Sequence, residues 1–198
     1  MSAVYRIPYQ NVVGDIGFYV YQQTYPFYSF VLVLSTYGFP VIISKLLAEA
    51  KETKQSYTRA EILLVSWVTL SLLGIGLWAL LFFASGRIAG AMDDRMLAES
   101  LRIISISFLF LPVMSIIKGY FQSEGEMKPT ATAQIVEQIV RVGIILAVCA
   151  AFTYSGWSIY DAAKGAYIGS LIGGAAGSLC LLAFWTNKKK LRDFFYGL

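Results

Sequence analysis

Glu137 and Arg141 are the residues with the most unusual chemistry in this sequence, because they stand in the middle of an apolar stretch, QIVEQIVRVGIILAVCAAF, long enough to be a membrane helix. Gln134, Glu137, Gln138 and Arg141 recur at three- and four-residue steps and so share one helical face. A charged stripe of this kind cannot face lipid, since each ionised side chain at bilayer depth costs roughly 3 kcal/mol or more on insertion scales. It has to line protein or a wet cavity. Two chemistries fit. Glu137 precedes Arg141 by four residues, the favourable order for an intrahelical ion pair that would pin this helix to its neighbours. Alternatively, Arg141 attracts an anionic headgroup while Glu137 holds the ligand or exchanges a proton or cation. A second set of candidates lies earlier in the chain. Tyr21, Tyr25 and Tyr28 fall on one helical face with Gln22 beside them, a combination able to stack on sugars and hydrogen-bond to them. The competing reading of these tyrosines is an aromatic belt at the headgroup level.

Little else in the chain could carry catalysis. It contains no histidine, which removes the commonest proton shuttle and metal ligand. There is no P-loop, HExxH motif, nucleophile elbow or cysteine pair at metal spacing, so neither an enzyme nor a bound cofactor is expected. Cys149 and Cys180 both sit in apolar runs as small hydrophobes. Asp93 and Asp94 are adjacent carboxylates in a loop-like segment and read as a solvated turn, not as a metal site.

The elements that must position the polar stripe are membrane helices. Of the 198 residues 57% are hydrophobic and 14% charged, with a mean hydropathy of +0.62, where a soluble domain has about a quarter charged. The expected fold class is all-α, a single polytopic bundle over residues 1–198 with spans near 17–43, 62–84, 101–122, 130–153 and 161–185. Pro26 and the Gly38 to Pro40 triplet are expected to kink the first span, and Pro112 the third. Gly125 and Pro129 mark a tight turn between the third and fourth spans. Lys118, near the end of the third span, is expected to snorkel to the interface. In the last span Gly165, Gly169, Gly173 and Gly177 recur every four residues, a ridge without side chains against which another helix can pack closely or slide. The net charge of +4 is distributed by side: ten of the 16 Lys and Arg residues fall in the 45–59 loop, the 118–128 turn and the 188–192 tail. By the positive-inside rule that side is cytoplasmic, and the charge argues for orientation and not for nucleic acid.

The turn and the polar stripe also carry a family likeness. Gly119, Phe121, Gln122, then Met127, Pro129, Thr130 and Ala131, then Gln134, Glu137, Gln138 and Arg141 resemble the turn between the fourth and fifth helices of the multidrug, oligosaccharidyl-lipid and polysaccharide exporter superfamily. The likeness falls in its branch of stage V sporulation protein B-like and polysaccharide-biosynthesis membrane proteins, relatives of lipid II flippases. GFPVIISKLLAEAK, residues 38–51, is a second close stretch. The resemblance implies the N-terminal half of a two-lobed transporter in a bacterial inner membrane, less the beginning of its first helix, with the second lobe or another copy as partner. Arg6 then falls in that first helix, where relatives place a basic residue facing the central cavity; an interfacial arginine is the other reading. The implied activity is flipping of a lipid-linked anionic glycan across the bilayer by alternating access, with Arg6, Gln22, Tyr25, Glu137 and Arg141 as substrate-binding candidates. A multidrug or cation antiporter of the same superfamily and a non-transporting membrane scaffold are the alternatives.

Overall fold

The computed structural model describes residues 2–52, 58–155 and 159–187. They form seven α-helices and, among the described residues, no strand: α1 (Ser2–Val33), α2 (Phe39–Glu52), α3 (Arg59–Ala91), α4 (Leu97–Ile106), α5 (Leu111–Ser123), α6 (Lys128–Ser155) and α7 (Ile159–Asn187). Five continuous stretches are long and apolar enough to cross a membrane: Phe18–Lys51, Arg59–Ala91, Leu97–Ser123, Lys128–Ala151 and Tyr160–Thr186. The fold is therefore all-α and polytopic.

Two of the five stretches are interrupted, and in each a proline explains the interruption. Pro40 has no N–H to give to the carbonyl of Thr36, and the preceding turn widens into a π-helical segment, Leu34–Gly38, closed by Phe39 N–H donating to the Leu34 carbonyl. At Pro26, where a kink was also expected, the backbone stays helical; the non-helical residue inside α1 is Gly14, at φ 76°. Pro112 acts in the same way on the third stretch. It leaves the Phe108 carbonyl without its helical donor, and Ser107–Phe110 tightens into a 3-10 turn between α4 and α5.

The ends of the helices are set by specific chemistry. Thr58 caps α3 through a reciprocal capping box, Thr58 Oγ1 accepting from Glu61 N–H at 3.4 Å and Glu61 Oε2 from Thr58 N–H at 2.8 Å. α5 closes in a Schellman motif: Gly125 takes φ 73°, its N–H donates to Gln122, and Glu126 N–H donates to Phe121. Lys128 and Pro129 then open α6. α3 runs past the expected 62–84 span to Ala91, because Ser85 and Ala89 are buried against the bundle and repay helical order there. The chain reverses at Asp93 (φ 57°), and Asp94 Oδ1 accepts from Met96 N–H.

The third stretch, Leu97–Ser123, is the most buried of the five, and α1, α2, α3 and α7 surround it. α3 exposes Val65, Val68, Leu72, Ile75, Leu80 and Phe83 on its outer face, an apolar surface suited to lipid. Ion pairs tie the ends. At one end Arg59 meets Glu124 at 2.6 Å, with its guanidinium 5.7 Å from the Tyr120 ring centre. At the other, Lys164 meets both Glu99 and Asp161 at 2.7 Å, and Tyr160 donates to Asp94.

The 3-10 break is reached by α3 through Gly74. A methyl group there would stand 2.8 Å from the Phe108 carbonyl oxygen, whereas one at Gly76 would meet nothing within 4 Å. Gly74→Ala is therefore expected to destabilise the bundle by about 1–3 kcal/mol through overpacking, and Gly76→Ala to leave it unchanged or slightly firmer, on comparison of melting temperatures in the same detergent.

Candidate functional site

An open cleft of about 520 Å³ runs between α1 and α6. One wall is Tyr25, Ser29, Leu32 and Val33 of α1 with Thr36 and Tyr37 of the π turn; the other is Ala131, Gln134, Ile135, Glu137 and Gln138 of α6. The spacing on each wall is that of one helical face; Gln134, Glu137 and Gln138 of the polar stripe line the cleft and Arg141 does not. Glu137 is 4% exposed and also borders a small interior void with Tyr28, Ser35, Ser107 and Ser170. Gln138 brings to the cleft wall a carbonyl oxygen that has no hydrogen-bond partner among the described residues.

Arg141 lies one turn deeper and is 5% exposed. Its Nη1 donates to the Tyr28 hydroxyl at 3.0 Å, and its guanidinium carbon lies 5.7 Å from the centre of the Tyr28 ring. The ion pairs among the described residues are Lys45–Glu49, Arg59–Glu124 and those of Lys164; Glu137 is in none of them. The i, i+4 arrangement of Glu137 and Arg141 thus permits a pair on one helix, but Arg141 reaches across to α1. Tyr28 offers both a hydroxyl acceptor and a π face, which together hold a guanidinium well away from water.

The tyrosines part company. Tyr21 and Tyr28 are buried, so they form neither a headgroup belt nor a sugar-stacking surface. Tyr21 stacks on Tyr167 at 5.0 Å between centroids, and the Tyr167 hydroxyl donates to the Tyr21 carbonyl while accepting from Thr24. Tyr25 alone of the three lines the cleft. Gln22 is exposed and lies outside the cleft lining. The side chain of Arg6 lies outside the described residues.

Lys118 is where sequence reasoning went astray. Instead of snorkelling it is fully buried, at 0% exposure, with Nζ donating to Thr36 Oγ1 at 3.2 Å. Its position on α5 follows from Gly119: a methyl group there would stand 2.8 Å from Ile43 Cβ and 2.9 Å from the Pro40 carbonyl oxygen, so α5 and α2 touch nearly backbone to backbone. The signal available in the sequence was the Lys118–Gly119 pair facing the Gly38–Pro40 break.

The glycine column of α7 holds the polar stripe in register. Gly165 and Gly169 meet Val148 and Ile144 of α6; Gly173 faces the Glu137 carbonyl oxygen and Arg141 Cβ, and Gly177 faces Glu137 Cβ. α7 therefore packs on the very turn that carries both charges. Among the described residues no cluster of His, Cys, Asp and Glu could hold a metal ion.

Together, the five apolar stretches and the cleft beside buried Glu137 and Arg141 define a polytopic membrane protein with ionisable side chains in its interior. The chain belongs to the polysaccharide biosynthesis protein family, whose profile matches residues 1–196. Among curated proteins of Bacillus subtilis (strain 168), it is 42% identical over 190 residues to the uncharacterized membrane protein YabM, a match covering 96% of this chain and 35% of that protein. It is 30% identical over 193 residues to stage V sporulation protein B (97% and 37%) and 28% identical over 200 residues to the lipid II flippase MurJ (96% and 37%). The chain thus spans little more than a third of the length of these relatives. No solved structure matches it.

Two substitutions probe how the site is held. Tyr28→Phe keeps the ring under Arg141 and removes the hydroxyl acceptor, and is expected to lower stability by about 1.5–3 kcal/mol, the range for a hydrogen bond to a charged group. Gly173→Ala places a methyl 2.8 Å from the Glu137 carbonyl oxygen, while Gly174→Ala meets nothing nearer than 3.9 Å; melting in detergent should separate them, with a clear loss for the first and little change for the second.

Proposed function

We propose that this chain is the N-terminal, substrate-holding part of a flippase that moves a polyprenyl-linked oligosaccharide or peptidoglycan precursor across the bacterial inner membrane by alternating access. What carries the reading is the cleft between α1 and α6, with Glu137 and Gln138 on its wall and Arg141 one turn below. A phosphate-linked glycan has an anionic end that suits Arg141 and hydroxyls that suit the amides of Gln134 and Gln138, the Glu137 carboxylate and the Tyr25 ring. The family relationship supports the same substrate class. Arg6 is proposed to add a second cation from the first helix. The part played by the protein is binding and reorientation, without covalent chemistry.

In this reading the ends bearing Lys45, Arg59 and Lys128 face the cytoplasm. A second lobe or a second copy closes the cleft from its open side and supplies the element against which this bundle rocks.

A cation antiporter is the second reading, favoured by one observation: the Glu137 carboxylate borders the cleft and is in no ion pair among the described residues. Drug resistance on overexpression, with no envelope defect on deletion, would put it first.

The test is saturable binding of a short-chain polyprenyl diphosphate sugar to the chain in detergent micelles. Arg141→Glu is expected to weaken binding at least about 10-fold, the effect of removing one charge-assisted contact and adding repulsion. Equal binding by wild type and Arg141→Glu, or equal binding of an uncharged glycolipid, would remove the anion from the reading.

A further inference from the structure

Thr36 differs from the other hydroxyl residues on α1 and the π turn. Ser29 and Ser35 each donate their O–H to a carbonyl three residues back, the usual fate of a hydroxyl in a membrane helix, and Thr24 gives its O–H to the Tyr167 hydroxyl at 2.6 Å. Among the described residues Thr36 donates no such bond; its Oγ1 instead accepts from the Lys118 ammonium. As an ammonium Lys118 can only donate, and this contact then occupies a lone pair of the Thr36 oxygen while leaving the O–H to point elsewhere. Thr36 is half-exposed and lines the cleft across from Glu137. A hydroxyl that accepts from a cation is also polarised into a stronger donor.

Two features fix this arrangement. Pro40 widens the turn at Leu34–Gly38 and so disturbs the regular carbonyl ladder around Thr36. Gly119 brings α5 against Pro40 and Ile43, which delivers the neighbouring Lys118 to the break with no exposure to solvent or lipid. A fully buried ammonium is expensive, and a single threonine hydroxyl is a modest partner for it. Its placement at the one widened turn bordering the cleft asks for a role beyond packing.

We infer that Lys118 is a positioning residue: by donating to Thr36 Oγ1 it turns the Thr36 hydroxyl hydrogen into the cleft, making Thr36 a hydrogen-bond donor for an oxygen acceptor of the bound ligand, of the phosphate class. The inference rests on the reading of the cleft as a site for a phosphate-linked lipid. Lys118 itself does not touch the ligand. Its charge acts through one oxygen, and the ligand meets only the threonine.

Binding of farnesyl diphosphate to the purified chain in detergent micelles tests this with a double-mutant cycle. Thr36→Val and Lys118→Met are each expected to weaken binding about 10-fold, the worth of one hydrogen bond to an anion. The double variant is expected to be no weaker than either single, because both changes remove the same donor. Lys118→Arg, which still donates to Thr36, should recover most of the affinity. A residue serving packing alone would lower the melting temperature without this non-additivity in binding. Wild-type affinity in Lys118→Met, or losses that add in the double variant, would overturn the inference and leave the cleft's anion site standing. Absence of saturable wild-type binding would instead overturn the reading of the cleft, and the role of Thr36 with it.

Discussion

Three ionisable side chains, Lys118, Glu137 and Arg141, are buried in the interior of this bundle, and the rest of the structure is arranged around the cost of keeping them there. Each such group loses several kcal/mol of hydration even after relaxation, and no water-filled exterior is at hand where the outer surface is apolar. Partners from other helices make up part of the loss. α1 gives Tyr28 to Arg141, and the π turn that continues it gives Thr36 to Lys118. One continuous helical stretch thereby satisfies cations that arrive from α5 and α6, which ties three elements that would otherwise be held only by apolar contact.

Apolar contact is a weak organiser inside a bilayer, since lipid tails compete for it equally. The described glycines supply what is missing. Gly119 lets α5 touch α2, Gly74 lets α3 touch the 3-10 break at Phe108, and Gly165, Gly169, Gly173 and Gly177 let α7 touch α6 at four successive points. These contacts set the depth and rotation of the helices that carry Lys118, Glu137 and Arg141. Charge placement and close backbone approach are thus two aspects of one design: Gly173 faces the Glu137 carbonyl and Arg141 Cβ, and Gly119 adjoins Lys118 in sequence.

The legible part of this was local. The class of fold follows from hydropathy and span length, the turn at Gly125 and Pro129 from residue type, and the polar face of α6 from period alone. What was not legible depended on which helix lies against which. The i, i+4 spacing of Glu137 and Arg141 favours a pair on one helix, and nothing in the spacing reveals that Tyr28 will be the partner 113 positions away in sequence. Tyr21 looks like a belt residue until Tyr167 is found stacked upon it. Lys118 sits near the end of an apolar run, where snorkelling is the general rule; its burial follows from the break before Pro40 and the bare backbone of Gly119 acting together. The extension of α3 past Ala84 is hidden for the same reason, its helicity depending on burial of Ser85 and Ala89 by other elements.

The sign of the interior charge bears on what the cleft can hold. With all three groups ionised, two cations accompany one carboxylate, so the potential around the cleft is positive on balance in a medium that screens poorly. A metal cation approaching Glu137 would meet that field and gain only one carboxylate, with no cluster of further ligands among the described residues to complete its shell. In the proposed reading an oxyanion meets the same field favourably, with the amides of Gln134 and Gln138 and the Thr36 hydroxyl on the wall. In that proposed reading Glu137 has a distinct part to play: it limits how much negative charge the cleft accepts and offers an acceptor to sugar hydroxyls, favouring a ligand that joins a phosphate to a neutral polar body over a bare anion.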